Sequence, residues 1–561
     1  MKKPFLHIAK PWILLFGGIL VFVILSQVLR FRIDLTEEKR FSLHPGTEKV
    51  LAQLTEPLHV DILLVGENLP GGMRRLQKSI EETVRTFNAY SPKAITYSYF
   101  DPLSVDQEKQ EEFIVDLVDY GINPTNLFVN QNSGQQAQLI FPGFLVSDSE
   151  YETGALVLKG ERGMSPEQIL NQSIENLEFE LIAAIQKLIS PESSSIAMII
   201  GHGENGRDDG YGIVEALDGE FEIFKVPLEQ AKKPADLSSF KTVIIQSPKE
   251  SYSDREIYLL DQYVLNGGNL VILLNGVAVE EQALSGGTTI GMPFETGLEN
   301  LLFRYGLRIN NDLIQDMNFG LIPTMAGNFG NQEQMRPMPW LYYFQAGLMQ
   351  NHPITKGLDV VSFEFASSMD TVKADGVKKI PLIFTSDYSK IIPAPMQISL
   401  SEVSIEPDPK TFDLKNLPLG YLLEGEFTSV FKNRFAPEEF DKADFKESGK
   451  GKVVVFGDGE LFQSQLNFQD GSPLTLGEGQ LSQTTFANKI LLKNMVKYLA
   501  DPEGIIASRT RTFQIRPLNK VKVAEEKTFW QLINVVLPVL VLLGIGGIVW
   551  TIRRNNYGRK N

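Results

Sequence analysis

The feature that most constrains this chain is a pair of long uncharged segments, one near each end. Residues 12–29 read WILLFGGILVFVILSQVL, and residues 532–552 read LINVVLPVLVLLGIGGIVWTI. A helix of about 20 apolar residues crosses the hydrocarbon core of a bilayer. Each segment therefore predicts a transmembrane helix, with the second helix extending over 530–552. No small-x-small site follows the first segment, which favours an uncleaved anchor over a signal peptide.

Two spans would place both chain ends on the same side of the membrane. The tails, residues 1–11 and 553–561, are basic: they carry Lys2, Lys3, Lys10, Arg553, Arg554, Arg559 and Lys560. Positive tails favour the cytoplasm. Four basic residues just after the first span oppose this weakly, but long loops translocate largely regardless of charge. We therefore expect a protein of the bacterial cytoplasmic (inner) membrane, with the bulk of its chain in the periplasm.

Composition excludes several classes of function. With 561 residues the chain is too long for one hydrophobic core, and its net charge of -16 would repel a nucleic-acid backbone. There is no cysteine, so dithiol redox chemistry, thiolate metal sites and a cysteine nucleophile are excluded. The five histidines are scattered and form no metal-ligand motif. We predict no metal, no cofactor and no nucleic-acid partner.

Between the spans, the pattern predicts α/β architecture in two parts. Strands alternating with amphipathic helices over 30–145 predict a compact, thioredoxin-like domain, followed over 146–195 by a β-ribbon and a connecting helix. From 196 to 500 the alternation predicts a doubly wound domain, interrupted at about 285–450 by an insertion of short elements. Residues 501–529 are predicted to be a tether to the second span.

A glycine-rich turn follows the first strand of the second domain. Gly201, His202, Gly203, Glu204 and Asn205 begin a G-x-G-x-x-G pattern, which is typical of a dinucleotide-binding turn. Nearby acidic side chains would repel a pyrophosphate, so a tight turn that needs permissive backbone angles is the better interpretation. We retain the turn as a candidate binding loop, and we expect the histidine to bond local backbone. No ATP-binding G-x-x-x-x-G-K-[ST] sequence occurs.

Four further residues are candidates for an enzyme. Ser247 follows a strand, but no G-x-S-x-G surrounds it, and Asn275 stands where another strand-end nucleophile would be required. Asp458 and Glu460, in the sequence FGDGE, form a paired-carboxylate candidate, although residues that cap a strand and a helix are the favoured interpretation. We assign no catalytic residue, and keep an envelope hydrolase or amidase using these groups as the alternative.

Several blocks of sequence, in order along the chain, carry a family resemblance. They are RFRIDLTEEKRFSLHPGTEKVLAQL (30–54), IAMIIGHGE (196–204), YGIVEAL (211–217), NHPITKGLD (351–359), IPLIFTSDYSK (380–390), YLLEGEFTSVFKNR (421–434) and KVVVFGDGELF (452–462). Together with both membrane segments, they resemble the GldG family of gliding-motility-associated ABC transporter auxiliary proteins. The resemblance implies an N-terminal α/β domain and a domain similar to class I glutamine amidotransferases that lacks the catalytic cysteine.

The resemblance and the missing motifs lead to one functional hypothesis. The chain is predicted to be a non-catalytic, membrane-anchored subunit that works with an ABC permease subunit and a cytoplasmic ATPase subunit. Its exterior would bind substrate or periplasmic gliding or secretion components, while its spans contact the lipid bilayer. A conventional small-ligand binding protein, which would capture a solute between its α/β units, is a second alternative.

Overall fold

The computed structural model describes residues 42–557, except for 67–68, 132–133, 160–164, 191–193, 205–206, 330–331, 442–443, 502 and 511–519. The predicted first span (12–29) and the N-terminal tail therefore lie outside the described residues. The chain divides into two compact units, Met1–Arg511 and Thr512–Asn561.

The helices of the described residues are numbered in chain order. They are α1 (Pro45–Ala52), α2 (Gly71–Tyr90), α3 (Gln107–Asp119), α4 (Pro166–Glu175), α5 (Leu177–Ile189), α6 (Tyr211–Leu217), α7 (Asp254–Leu265), α8 (Leu298–Tyr305), α9 (Asn488–Ala500) and α10 (Lys520–Tyr557).

The strands are numbered in the same way. They are β1 (Leu58–Ile62), β2 (Ile95–Tyr99), β3 (Thr125–Gln131), β4 (Gly134–Ile140), β5 (Gly143–Ser147), β6 (Glu152–Leu156), β7 (Ser195–Ile200), β8 (Glu222–Pro227), β9 (Thr242–Gln246), β10 (Asn269–Leu273), β11 (Val277–Val279), β12 (Thr288–Pro293), β13 (Leu307–Ile309), β14 (Asp312–Asp316), β15 (Phe319–Phe329), β16 (Gln332–Ala346), β17 (Leu348–Met349), β18 (Val361–Glu364), β19 (Met369–Thr371), β20 (Val377–Phe384), β21 (Ser389–Pro393), β22 (Met396–Ser399), β23 (Pro418–Thr428), β24 (Ser448–Phe456), β25 (Glu478–Gly479) and β26 (Thr484–Thr485).

The N-terminal part of the first unit is built on a four-stranded sheet of order β2-β1-β5-β6. β1 and β2 run parallel and α2 connects them, as the alternating pattern predicted. The buried residues of α2 recur at helical spacing and pack on this sheet: they are Leu76, Ile80, Val84 and Phe87. An apolar stripe of this kind is what a helix on a sheet needs.

The segment predicted as a β-ribbon and one connecting helix differs from that prediction in its strand pairing and in its number of helices. β5 pairs with β1 and β6 pairs with β5, so both strands belong to the N-terminal sheet, whereas β4 pairs with β3 in a separate hairpin. The single predicted helix is two helices, α4 and α5, which meet at Asn176. Leu181, Ile182 and Ile185 of α5 are buried in the same core as α2. α5 therefore packs into the core of the first sheet.

The larger sheet contains eight strands in the order β17-β20-β23-β24-β10-β9-β7-β8. The strands from β24 to β8 all pair in parallel. Counted along the chain, these five parallel strands lie in the order 2-1-3-4-5, which is one of the two common doubly wound orders. α6 and α9 pack on one face of the sheet, and α7 and α8 pack on the other.

Part of the predicted insertion belongs to this sheet. β23 runs antiparallel beside β24, β20 runs antiparallel beside β23, and β17 continues the edge. The remaining strands of this region form smaller sheets, including β11-β12-β22 and β15-β16-β18. The region predicted as an insertion thus contributes three strands to the main sheet and also forms smaller sheets at its periphery.

The second unit contains the long helix α10. Its segment Glu525–Asn555 has a mean hydropathy of 2.6 over its most apolar window and is not buried against other residues. By length and composition this helix can cross a membrane, and it contains the whole of the second predicted span. Among the described residues it is the one helix with these properties.

Candidate functional site

The carboxyl ends of β7 and β9 lie side by side in the parallel sheet. The strand order changes direction here, because β8 is added on one side of β7 whereas β9 and the later parallel strands are added on the other. The helix after β7, α6, packs on one face of the sheet, and the helix after β9, α7, packs on the other. In open α/β sheets the two connections separate at such a point and leave a crevice in which ligands bind. The loops that begin at Gly201 and at Ser247 form this edge.

The backbone of the first loop adopts the unusual angles that its glycines predict. Gly201 has a φ of 121° and Gly203 has a φ of 76°, angles that residues with a Cβ rarely adopt. The requirement for permissive backbone angles is confirmed at these two positions. Asn205, the last residue of the candidate binding loop, lies outside the described residues.

His202 differs from its predicted role as a histidine bonded to local backbone. Its ring lies between two carboxylates, with Nδ1 at 3.1 Å from Glu204 Oε1 and Nε2 at 3.1 Å from Glu256 Oε1. The ring stacks on Tyr252 at a centroid distance of 3.9 Å, and the Tyr252 hydroxyl donates to Glu204 at 2.6 Å. Glu256 reaches the histidine because it occupies the capping box of α7 with Ser253, a contact that the local sequence around His202 does not reveal.

This histidine network is buried and its polar atoms are paired. Burial raises the pKa of Tyr252 well above its ordinary value, and the Glu204 carboxylate adds to the effect. Burial would also raise the pKa of Glu256, but hydrogen bonds from Ser253 and the nearby His202 lower it overall. Both ring nitrogens of His202 contact carboxylates, so the ring joins the glycine loop to the start of α7.

In the second loop Ser247 adopts an unusual backbone conformation. Its φ of 48° lies in the left-handed region, which is rare for a residue other than glycine. The Ser247 hydroxyl donates to Glu460 Oε1 at 2.7 Å and lies 2.8 Å from Lys249 Nζ. Only 1% of Ser247 is exposed. The hydroxyl is therefore fixed between a carboxylate and an ammonium group.

Glu460 is the centre to which the neighbouring loops converge. Besides Ser247, it contacts Lys249 Nζ at 3.0 Å and accepts from Asn275 Nδ2 at 2.6 Å. Burial would raise the pKa of this carboxyl, but the Lys249 ammonium and the hydrogen bonds from Asn275 and Ser247 outweigh burial and lower it. Glu460 is therefore a buried carboxylate that is held in its charged form by paired donors.

The remaining members of this group fix the loop that carries Glu460. Asp458 accepts the backbone N–H groups of Glu460 at 2.8 Å and Glu364 at 2.7 Å, and burial raises its pKa well above the ordinary range. Asn275 accepts the N–H of Gly459 at 2.7 Å. A Cβ on Gly459 would lie 2.8 Å from the Ser247 side chain, so only glycine allows this approach.

Ser247, Asn275, Asp458 and Glu460, which the sequence selected for unrelated reasons, thus meet in one cluster with Lys249. We call these five residues the Glu460 cluster. The cluster adjoins the histidine network because the backbone N–H of Lys249 donates to the carbonyl of His202 at 2.7 Å. Sequence reasoning missed Lys249, although its position two residues after Ser247, at a strand end, placed it at this edge.

A second charged group lies near the Glu460 cluster. Arg207 pairs with Glu364 at 2.7 Å and lies 3.9 Å from Glu281. Burial and the charges of Glu364 and Glu460 raise the pKa of Glu281 to about 7, although Arg207 partly opposes this. Glu364 and Glu281 had no sequence motif that could identify them.

The geometry favours a structural cluster over a nucleophile. A serine nucleophile needs a base that takes its proton and a path for substrate. The Ser247 hydroxyl instead donates to a carboxylate, its other neighbour is an ammonium paired with the same carboxylate, and it is buried. Within the described part of the chain, no group of three or more His, Asp and Glu side chains is arranged to hold a metal ion.

Comparison with known proteins identifies relatives of both parts of the chain. Residues 193–495 match the family described as ABC-type uncharacterized transport system, and residues 37–147 match a domain of unknown function, DUF7088. An uncharacterised protein of Borreliella burgdorferi is 21% identical over 451 residues, which cover 79% of this chain and 80% of the relative. The solved mmIFT52 N-terminal domain aligns with 54% of this chain and 97% of its own length, at 14% identity and a TM-score of 0.31.

Proposed function

Because the chain belongs to the family of ABC-type transport system auxiliary components, we propose that it is a non-catalytic membrane-anchored subunit of an ABC-type complex. A separate permease and ATPase would supply the pathway and the energy. The observation that carries this proposal is the family match over 193–495, which contains the parallel strands and the Glu460 cluster. The apolar helix α10 supports the membrane anchor.

The proposal extends to the side of the membrane and to the system served. We propose that the two α/β parts lie in the periplasm of the bacterial cell and that a gliding-motility complex is the system, as the resemblance to GldG proteins implies. The basic tails, residues 1–11 and 553–561, support the periplasmic location of the region between them. In this arrangement the exterior binds substrate or envelope partners while the spans pack on the permease.

The second α/β part is proposed to be a degenerate enzyme of the amidotransferase type. Support comes from the strand order and from Ser247, whose positive φ at a strand end resembles the strained turn that presents a nucleophile in doubly wound hydrolases. The side chain at that turn is buried and paired with Glu460. The N-terminal sheet, with β5 antiparallel to its neighbours, similarly supports the thioredoxin-like interpretation.

Purification of the complex tests the partnership. The full chain, tagged and solubilised from its native membrane in a mild detergent, is expected to retain a permease and an ATPase in fixed proportion. A variant that lacks residues 520–557, and with them α10, is the matched comparison and should lose the permease if the spans make the contact. If the full chain is recovered without either subunit after crosslinking in cells, the proposed partnership is wrong.

An envelope hydrolase is the competing function, and the positive φ of Ser247 is the observation that favours it. The variant Ser247→Ala distinguishes a hydrolase from a non-catalytic subunit, because it removes the hydroxyl and leaves Lys249, Asn275 and Glu460 in place. A non-catalytic subunit should keep its biological activity in this variant, while loss of the hydrogen bond to the buried Glu460 carboxylate should lower the melting temperature modestly. Loss of activity in a stably folded Ser247→Ala protein would support the hydrolase.

A further inference from the structure

Strand β2 lies at one edge of the four-stranded N-terminal sheet, and its outer side has no neighbouring strand among the described residues. Its principal contacts are with β1 and α2. The sequence of β2 is ITYSY, in which β-branched and aromatic residues favour an extended backbone. An edge strand presents unpaired N–H and C=O groups on which a strand of another chain can pair.

The other three edges of the two main sheets carry features that hinder such pairing. Strand β8, at one edge of the large sheet, contains Lys225 and Pro227, and β17, at the opposite edge, has only two residues. Strand β6, at the far edge of the N-terminal sheet, contains Glu152. Charged side chains, proline and short length are common protections of an edge strand. The five residues of β2 include no charged residue and no proline.

The backbone groups of β2 divide between its two sides. Just before the strand, the carbonyl of Ala94 accepts the N–H of Leu58 at 2.9 Å. Just after the strand, the N–H of Phe100 donates to the carbonyl of Ile62 at 3.1 Å. Because alternate residues of a strand direct their backbone groups to opposite sides, the even-numbered residues bond β1. The odd-numbered residues of β2 direct their N–H and C=O groups to the free edge.

Most of these outward groups are unpaired. The N–H of Ile95 donates to Asn88 Oδ1 at 2.9 Å. Within the part of the chain that the structure describes, the N–H groups of Tyr97 and Tyr99 have no hydrogen-bond partner. The outward carbonyls of Ile95, Tyr97 and Tyr99 accept no hydrogen bond from these residues either. The edge of β2 therefore offers donors and acceptors in a fixed order along the strand.

This order is complementary to itself under a two-fold axis. When two copies place β2 antiparallel, with Tyr97 opposite Tyr97 of the second copy, each Tyr97 N–H meets the other Tyr97 carbonyl. Each Tyr99 N–H then meets the carbonyl of Ile95 of the second copy, so every unpaired outward N–H is satisfied. The carbonyl of Tyr99 is not used, because the N–H that it would face is bonded to Asn88. Two-fold pairing of identical surfaces is the commonest symmetry of homodimers.

The side chains of β2 fit the same arrangement. The ring of Tyr99 is 46% exposed, although its hydroxyl donates to Glu81 at 2.7 Å. In the antiparallel pair this ring lies beside Ile95 of the second copy, and aromatic residues opposite β-branched residues stabilise neighbouring strands. The pairing therefore covers apolar surface that the single copy leaves exposed.

We propose that β2 is a self-association surface through which two copies of this chain join their N-terminal sheets edge to edge. The sheet of order β6-β5-β1-β2 then continues into the same strands of the second copy in reverse order. Anchoring in one membrane raises the effective concentration of the copies, so a short strand pair is sufficient. This inference goes beyond the proposed function, which names a permease and an ATPase as partners and no second copy.

Crosslinking of the full chain in native membranes tests the pairing, because the chain has no cysteine of its own. In the proposed register Thr96 lies opposite Ser98 of the second copy, with Cα atoms about 4.5 Å apart, a distance that allows a disulfide. Differently tagged Thr96→Cys and Ser98→Cys chains, co-expressed and mildly oxidised, should form a crosslinked dimer that carries both tags. Thr96→Cys with Ser149→Cys is the control and should not crosslink, because β1 and β5 separate Ser149 from β2.

Two variants of one residue isolate the backbone hydrogen bond. Tyr97→Pro removes the N–H that bonds the second copy, and an edge position whose N–H faces outward accepts proline. Tyr97→Thr removes the same phenol, with its contacts to Glu81 and Arg85, and keeps the N–H. Introduced into both cysteine chains, Tyr97→Pro should reduce the crosslinked fraction at least about tenfold relative to Tyr97→Thr, because both symmetry-related bonds are lost.

The inference is overturned if the Thr96 and Ser98 cysteines give no more dimer than the Ser149 control, or if Tyr97→Pro and Tyr97→Thr crosslink equally. If Tyr97→Pro does not fold, the cysteine pair without it still decides. A permease that holds two copies would make both tags co-purify without this crosslink. Failure of the crosslink leaves the recovery of permease and ATPase unchanged, so the two proposals can be told apart.

Discussion

At the scale of single residues, His352 is expected to make stability depend on pH. It lies in a loop where its ring contacts Tyr498 at a centroid distance of 4.9 Å and its Nδ1 accepts the N–H of Ile354 at 3.3 Å. Burial lowers the pKa of His352 to about 4, with help from Lys378 and Lys452 and against the charge of Glu424. The folded protein therefore favours the neutral ring.

The sign of the effect follows from the two protonation states. Above pH 6.5 the ring is neutral in both folded and unfolded chains, so the lowered pKa of His352 has no effect on stability. As the pH falls from 6.5 towards 4, the unfolded chain binds a proton that the folded protein does not, so stability decreases, by about 1–2 kcal/mol between pH 7 and pH 5. In His352→Asn this part of the decrease should be absent, as measured by urea unfolding at both pH values. An unchanged difference between pH 7 and pH 5 would contradict the assignment.

Only some residues of the candidate functional site could be predicted from the sequence. The strand ends that carry Ser247, Asn275 and Glu460 were identifiable in the sequence, because apolar runs followed by turn residues mark them. Their convergence could not be predicted, since it depends on β10 lying between β9 and β24. Glu256 and Glu364 were missed for the same reason: their contacts with His202 and Arg207 join distant parts of the chain.

At the scale of elements, ion pairs attach α9 to the turn before β8. Glu220 contacts Lys497 at 2.6 Å and Lys493 at 3.3 Å, two lysines one turn apart on α9. Burial alone would raise the pKa of Glu220, but the two ammonium groups lower it to about 2. The pairs therefore stabilise the fold above pH 4.5, and their contribution is lost as the pH falls from 4.5 towards 2.

Glu220→Gln should lower the free energy of unfolding by about 2 kcal/mol at pH 7. This is less than the free energy that corresponds to the whole pKa shift of Glu220, because solvent partly screens the side chains. The comparison is Glu222→Gln, an exposed glutamate two residues away that should have little effect. Urea unfolding at pH 7 and near pH 4 measures both variants, and the deficit of Glu220→Gln should shrink at the lower pH. Equal stability of the two variants at pH 7 would show that these ion pairs contribute nothing.

Elements differ in how well local sequence specifies them. The parallel strands β7, β9 and β10 are continuous apolar runs, buried on both faces, and the sequence predicted all three. β20 and β23 were read as part of a loosened insertion because their places in the sheet depend on antiparallel pairing with each other and with β24. The single helix predicted before β7 was also too simple, since a turn at Asn176 divides it into α4 and α5.

At the scale of the whole molecule, sidedness determines which partners the Glu460 cluster can meet. The chain contains no cysteine, so a single introduced thiol is a unique target for a membrane-impermeant label. Ser149, between β5 and β6, and Thr288, at the start of β12, are both exposed positions of the first unit. Asn555, near the end of α10, is exposed at the other end of the apolar segment.

We expect Ser149→Cys and Thr288→Cys to be labelled when only the outer membrane is permeabilised, and Asn555→Cys to react only after the inner membrane is opened. The physical reason is that basic residues after the apolar segment favour the cytoplasm, whereas long acidic regions translocate without regard to charge. Each variant should co-purify with its partners as the unaltered protein does, which controls for misfolding. Labelling of Asn555→Cys without labelling of Ser149→Cys would invert the topology. In that case the Glu460 cluster would face the cytoplasm, beside the ATPase.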